Sequence, residues 1–232
     1  MPRFPLAIFI LLHAASSGAH DLWIERAAAR HTLAYGHERS THAGPERLDY
    51  RPEHVKQAIC MDSQGAPLEA GVQLDRFPAM LTGDCAASLF QVSTGYWSKT
   101  PYGTKNFAKD AAGGAVLDSW LSFESVKRID RWGAGLAKPL GQGLELVPLG
   151  NPLALKPGAK LRVLASLDGK PVAGVTVAYF GKPRGVSDGS GVVNVRLQQA
   201  GLQLIQASLD SPLQDGKADR LVRAATLQFE LP

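Results

Sequence analysis

Six histidines crowd the N-terminal quarter of the chain, His13 inside an apolar leader and His20, His31, His37, His42 and His54 after it, while the stretch from Val55 to Pro232 has none. His20 directly follows the small residues Ser17-Gly18-Ala19 at the end of an apolar leader. If that leader is cleaved after Ala19, His20 becomes the first residue. Its α-amine, with a reference pKa of about 7.7–8.0, and its imidazole, near about 6.5, can then both lose their protons close to neutrality. Together with one further imidazole they form a planar set of three nitrogens, a histidine brace. Tetragonal nitrogen geometry suits Cu(II) or Ni(II), and the Irving–Williams order favours copper at equal geometry. The expected ion is therefore Ni, Co or Cu ahead of Zn. His37, which follows Gly36 at the end of a strand-like segment, is the foremost imidazole partner, and His42 is the next. His31 and His54 read as ordinary surface residues. Asp21, Glu25, Glu38 and Glu46 could orient imidazoles from behind, but they read equally as a solvated surface and none is assigned as a ligand.

The leader has a basic start at Arg3, an apolar run Leu6–Leu12 and a small-residue end, the three parts of a secretory signal. Its run is far shorter than the roughly 20 residues that cross a bilayer, and no later segment is apolar for long enough. Residues 1–19 are therefore expected to be a cleavable signal, with a periplasmic mature protein that has no membrane span. Of 232 residues, 213 remain, room for one large or two small domains. The division expected is a β-rich segment 20–150 carrying the histidines and a sandwich 151–232. A formal net charge of +4 with scattered basic residues argues against nucleic acid as a partner. Cys60 and Cys85 are the only cysteines. In an exported protein they are expected to form a disulfide, closing a loop of about 25 residues worth roughly 3–4 kcal/mol in the chain-entropy model. A soft metal pair is the alternative, but the spacing lacks the close C-x-x-C of metal sites.

Alternation places strands at Leu22–Glu25, His31–His37, Ser88–Thr94 and Leu144–Pro148. The stretch Ser98–Gly114, nearly free of apolar residues, reads as a long exposed loop. Val116, Leu117, Trp120, Leu121, Phe123, Val126 and Ile129 recur at near-helical spacing, which predicts one short helix over 116–129, although Phe123–Lys127 would also serve as a strand. In the C-terminal part Leu161, Val163, Ala165 and Leu167 alternate, the turn Asp168-Gly169-Lys170-Pro171 follows, and Val175, Val177 and Tyr179 alternate again. Strands continue at Val192–Leu197, Leu202–Ala207 and Arg220–Leu231. The fold class is mainly β, in antiparallel β-sandwich modules, the C-terminal one immunoglobulin-like or transthyretin-like. Trp23, Trp97, Trp120 and Trp132 could build a platform for a sugar or polymer, though core packing is the commoner use of tryptophan in such a fold.

No G-x-S-x-G nucleophile elbow, phosphate loop or dinucleotide fingerprint is present, so the protein reads as a binder and not an enzyme. The segments Ala19-His20-Asp21-Leu22-Trp23-Ile24-Glu25, Tyr35-Gly36-His37, Gly95-Tyr96-Trp97-Ser98-Lys99-Thr100, Leu144–Pro148 and Asp168–Val172 resemble secreted proteins described as periplasmic components of nickel and cobalt uptake systems. The resemblance covers nearly the whole mature chain. It implies a transition-metal-binding accessory that hands its ion to a membrane importer, with His20 and His37 as ligand candidates. Two other readings stand beside it: a copper-binding brace protein, acting as a chaperone, a buffer or an oxygenase, and a β-sandwich adhesion or scaffold module whose histidines are incidental.

Overall fold

The computed structural model describes residues 21–38 and 46–232. The leader 1–19, His20 and His42 lie outside these described residues. The fold is mainly β, built from three sheets. A nine-stranded sheet runs in the order Lys182–Val186, Thr176–Tyr179, Gly201–Pro212, Arg220–Leu231, Asp118–Ile129, Ala87–Thr100, Val55–Met61 and Pro67–Leu68, with Gly103–Lys105 folded back on Ala87–Thr100. A five-stranded sheet joins Asp21–Ala27, Arg30–His37, Met80–Thr82 and Gly71–Gln73, with Glu46–Arg47 against Arg30–His37. A four-stranded sheet joins Leu144–Pro148, Lys160–Leu167 and Lys170–Pro171, with Val192–Arg196 along Lys160–Leu167.

The large sheet is the middle layer where the other two meet it, because successive side chains of a strand leave on opposite faces. Phe90, Val92 and Val126 pack with Leu22, Ile24, Leu33 and Leu81 of the five-stranded sheet. Leu89, Ile129 and Leu227 pack instead with Leu146, Val163 and Val195 of the four-stranded sheet. Each such side chain, fully buried, contributes about 1.5–3 kcal/mol through its apolar area. The expected boundary at residue 150 falls within the four-stranded sheet, since Leu144–Pro148 pairs with Lys160–Leu167. The segments on either side also share the large sheet, where Asp118–Ile129 and Arg220–Leu231 pair in parallel from Trp120↔Arg220 to Arg128↔Gln228.

The helix expected over 116–129 is a strand, Asp118–Ile129. Its apolar period is misleading because both faces of its second half, Ser125–Ile129, are covered. Ser119, Ser122, Ser125, Lys127 and Arg128 are all buried, so the polar positions no longer mark a solvent side. Lys127 forms an ion pair with Glu145 deep between the layers, both side chains under 5 % exposed. The second Glu145 oxygen accepts from the backbone N–H of Leu140, at 2.9 Å, and of Gly141, at 3.1 Å. Gln228 accepts from Ile24 N–H at 2.8 Å and donates to Ile24 O at 2.7 Å, which ties the five-stranded sheet to the central one.

The loop expected over 98–114 is also more ordered than its composition suggests. The strand Ala87–Thr100 extends into it, and Ser98 pairs with Lys105 across a hairpin. Asn106 donates to the carbonyls of Thr94 and Tyr96, both at 2.8 Å, and Lys109 forms an ion pair with Asp219. Side-chain hydrogen bonds and ion pairs replace the apolar contacts that the segment lacks. At the Asp168-Gly169 turn both residues have positive φ, 50° and 80°, as a two-residue hairpin between Leu167 and Lys170 requires.

Candidate functional site

The order of the N-terminal hairpin decides where the described histidines fall. Asp21–Ala27 and Arg30–His37 pair in antiparallel register from Ala27↔Arg30 to Asp21↔Gly36. Gly36 has φ +140°, and a Cβ there would stand 2.1 Å from the carbonyl oxygen of Glu46. Only glycine lets the Glu46–Arg47 segment come this close, and that approach sets His37 opposite Glu46. His37, the foremost imidazole candidate, is thus a half-buried residue at the end of its strand, one step beyond the Asp21↔Gly36 pair. Of the three ligand candidates it is the only described one, since His20 and His42 lie outside. Among the described residues no three His, Cys, Asp or Glu side chains gather closely enough to hold a metal ion.

His31 is not the surface residue its sequence neighbourhood suggests. It is 1 % exposed, and its Nδ1 stands 3.8 Å from Asp130 Oδ2, where neither atom has a hydrogen-bond partner. Burial lowers the His31 pKa, the Asp130 carboxylate opposes that, and Arg26 and Arg128 add to the lowering. His54 ends a short 3-10 turn, Pro52–His54, at the mouth of a cleft. Burial lowers its pKa as well, with Glu53 pushing upward and Arg51 and Lys56 downward.

The four acidic residues noted near the histidines do structural work where they can be traced. Asp21 accepts from Gln206 Nε2 at 2.6 Å, and Glu25 holds Arg47 at 2.7 Å. The cysteines form the Cys60–Cys85 disulfide, with Cα atoms 5.1 Å apart, and so are no metal pair. The tryptophans do not make one platform. Trp23 is buried, Trp132 packs against the core, and Trp97 and Trp120 stack with ring centroids 6.4 Å apart.

The cleft beside His54, about 290 Å³ in volume, opens between the five-stranded sheet and the central one. Leu22, Leu33 and Val92 make its apolar back wall, and Tyr35, Tyr50 and Trp97 supply aromatic rings. Tyr50 is fixed as a wall, because its hydroxyl donates to Leu33 O at 3.0 Å and accepts from Ala79 N–H at 2.8 Å. Burial pushes its pKa up to about 12, with the Ala79 hydrogen bond opposing. Glu124 lies where two bulges coincide. Ser122 pairs with Gly95 but Glu124 with Val92, so three steps of Ala87–Thr100 match two of Asp118–Ile129. On the other side Val55 pairs with Val92 and Gln57 with Gln91, leaving Lys56 extra. Ser93 Oγ braces this irregular stretch by donating to Ser122 O at 2.8 Å. Such bulges re-aim side chains, and here they turn a carboxylate toward the cleft. Burial pushes the Glu124 carboxyl above its ordinary range, and the Ser122 hydroxyl, at 3.4 Å, opposes the shift only weakly. Burial and then the Glu124 charge likewise raise the Tyr35 phenol.

Glu124, Tyr50 and Asn106 were not singled out as functional residues on sequence grounds. The available signal was a lone acid between Phe123 and Val126, two residues from Val126 and hence on the strand face that Val126 buries. The chain belongs to the family described as a domain of unknown function (DUF4198), whose model matches residues 17–211. No curated protein matches the chain.

Proposed function

We propose that this member of the DUF4198 family is a periplasmic transition-metal-binding protein accessory to nickel or cobalt uptake. In this reading the signal-cleaved chain captures the ion through the α-amine and imidazole of His20, with the imidazole of His37, or next that of His42, as the third nitrogen, and passes it to a membrane importer. The observation that carries the reading is the register of the N-terminal hairpin. Asp21 stands opposite Gly36, and His37 follows Gly36 at the half-buried end of that strand, opposite Glu46. The Cys60–Cys85 disulfide accords with an oxidising compartment, and among the described residues no helix is long and apolar enough to cross a membrane.

Capture works through deprotonation. Both His20 nitrogens must lose protons before they can donate, so affinity should fall as the pH drops through about 7.7–8.0, the reference range of an α-amine, and more steeply below about 6.5, that of an imidazole. Release at an importer then requires only that one donor be withdrawn, because two remaining nitrogens hold the ion far less well than three.

The test is a calorimetric titration of the signal-cleaved protein with Ni(II), Co(II), Cu(II) and Zn(II), beside its His20→Ala and His37→Ala forms. The expected result is loss of tight Ni(II) and Co(II) binding in both variants. Unchanged binding in both would overturn the assignment, and a strong preference for Cu(II) would move the protein to the copper-chaperone reading.

A further inference from the structure

The cleft at Glu124 has a donor and acceptor balance that selects its ligand. Glu124 has no cationic partner among the described residues, and its one hydrogen bond is the long one from Ser122. Asn106 spends both Nδ2 hydrogens on the carbonyls of Thr94 and Tyr96, which leaves its Oδ1 as an acceptor at the cleft. The Trp97 indole N–H is already given to Thr94 Oγ1 at 2.8 Å, and the Tyr50 hydroxyl is spent on the backbone. Of the other lining residues Arg51 and His54 carry donors, Arg51 on a largely exposed side chain 4.0 Å from Glu53 and His54 at the mouth, so the acceptors of Glu124 and Asn106 are left for a ligand that donates. A half-buried carboxylate without a counter-charge is costly in the empty protein, and a ligand that brings the positive charge removes that cost.

The surroundings separate an organic cation from a metal ion. No three metal-ligating side chains converge here among the described residues. The cleft that holds the carboxylate is lined by the hydrocarbon of Leu22 and Leu33 and the rings of Tyr35 and Trp97, with the polar Asp49, Arg51 and His54 also on its lining. Aromatic faces attract ammonium and guanidinium groups within about 6 Å by about 0.5–2 kcal/mol, and an apolar wall accepts the carbon body of such a ligand but offers a bare ion nothing. The volume sets the size. About 290 Å³ is room for about ten heavy atoms when each takes the roughly 30 Å³ of a liquid water.

We propose that this cleft is a binding site for a small organic cation, an amine-bearing molecule of about ten heavy atoms whose ammonium group meets Glu124 and Asn106 while its body lies against Leu22, Leu33 and the Trp97 ring. The site is independent of the metal reading, since it uses neither His20 nor His37.

The experiment compares three probes of matched size on the signal-cleaved protein: phenethylammonium, 2-phenylethanol and phenylacetate. Binding is read by calorimetry and by the fluorescence of the tryptophans, one of which lines the cleft. The expected result is saturable binding of phenethylammonium at least tenfold tighter than that of the alcohol, with no binding of the carboxylate. The Glu124→Gln form, which keeps the side-chain volume, should lower phenethylammonium to the level of the alcohol. Equal binding of the ammonium and the alcohol by the unmodified protein, a comparison that needs no variant, would overturn the proposal. So would a preference for the carboxylate, or an unchanged ratio in a Glu124→Gln protein that melts cooperatively. Nickel binding should be unaltered in Glu124→Gln, and amine binding unaltered in His37→Ala, so failure of one site is read apart from failure of the other.

Discussion

Replacing Lys127 by Met should be among the most damaging single changes in this protein, because it strands a charge between two sheets. Lys127 and Glu145 are 2 % and 4 % exposed at their side chains, and Glu145 is held in place by the N–H groups of Leu140 and Gly141. The carboxylate cannot swing to water without breaking those bonds. Burial pushes the Lys127 pKa down and the facing Glu145 supports its charge, so each partner is tolerable only in the presence of the other. Removing one member of a buried pair costs about 3–5 kcal/mol. For a chain of this size each kcal/mol moves the melting temperature by about 2–4 °C, so Lys127→Met should melt roughly 6–20 °C lower. The double change Lys127→Met with Glu145→Gln removes the stranded charge and keeps an oxygen for the two N–H groups, so it should recover more than half of that loss. Urea unfolding followed by tryptophan fluorescence measures both. A single variant within about 1 kcal/mol of the unmodified protein, or a double variant no better than the single one, would refute the reasoning. The pair ties Asp118–Ile129, the strand that carries Glu124, to Leu144–Pro148, so the cleft should loosen with it.

His31 makes stability depend on pH. Its folded pKa is lowered by burial, so as pH falls below the unfolded value of about 6.5 the unfolded chain takes up a proton that the folded chain refuses, and stability declines. The urea midpoint should fall from pH 7.5 to pH 5.5, and a His31→Gln form should show a smaller fall. Opening the Cys60–Cys85 bridge by replacing both residues with Ala should cost about 3.5 kcal/mol for its 25-residue separation, read as a lower urea midpoint, and reduction of the unmodified protein should do the same. Gly36→Ala would put a Cβ 2.1 Å from Glu46 O and should cost about 1–3 kcal/mol in backbone strain. By displacing His37 it should also weaken Ni(II) binding in a calorimetric titration.

The parts of the fold that were legible in the sequence are those where one face of a strand meets water. Leu161 and Val163 alternate with exposed or half-exposed neighbours along Lys160–Leu167, and the Asp-Gly turn after them carries its own conformational signal. The strand Asp118–Ile129 hid itself because its second half is covered on both sides and because it buries charge and hydroxyls in place of hydrocarbon. Its parallel partner lies about a hundred residues further along, and no local pattern announces a pairing at that distance. The candidate site divides in the same way. A histidine after the small residues Ser17-Gly18-Ala19 and another after Gly36 can be read directly from the chain. His31 looked like an exposed residue because nothing local reveals Asp130 beside it, and the Glu124 cleft depends on two bulges whose register is fixed only when three strands come together.

The central claim is that the metal site is created by cleavage before His20, since an amide nitrogen at that position cannot serve as the amine donor. It is tested most directly by measuring Ni(II) affinity for two otherwise identical proteins, one beginning at His20 and one carrying a single additional Ala before it. The account predicts tight binding by the first and a loss of at least tenfold in the second, and equal affinities would contradict it.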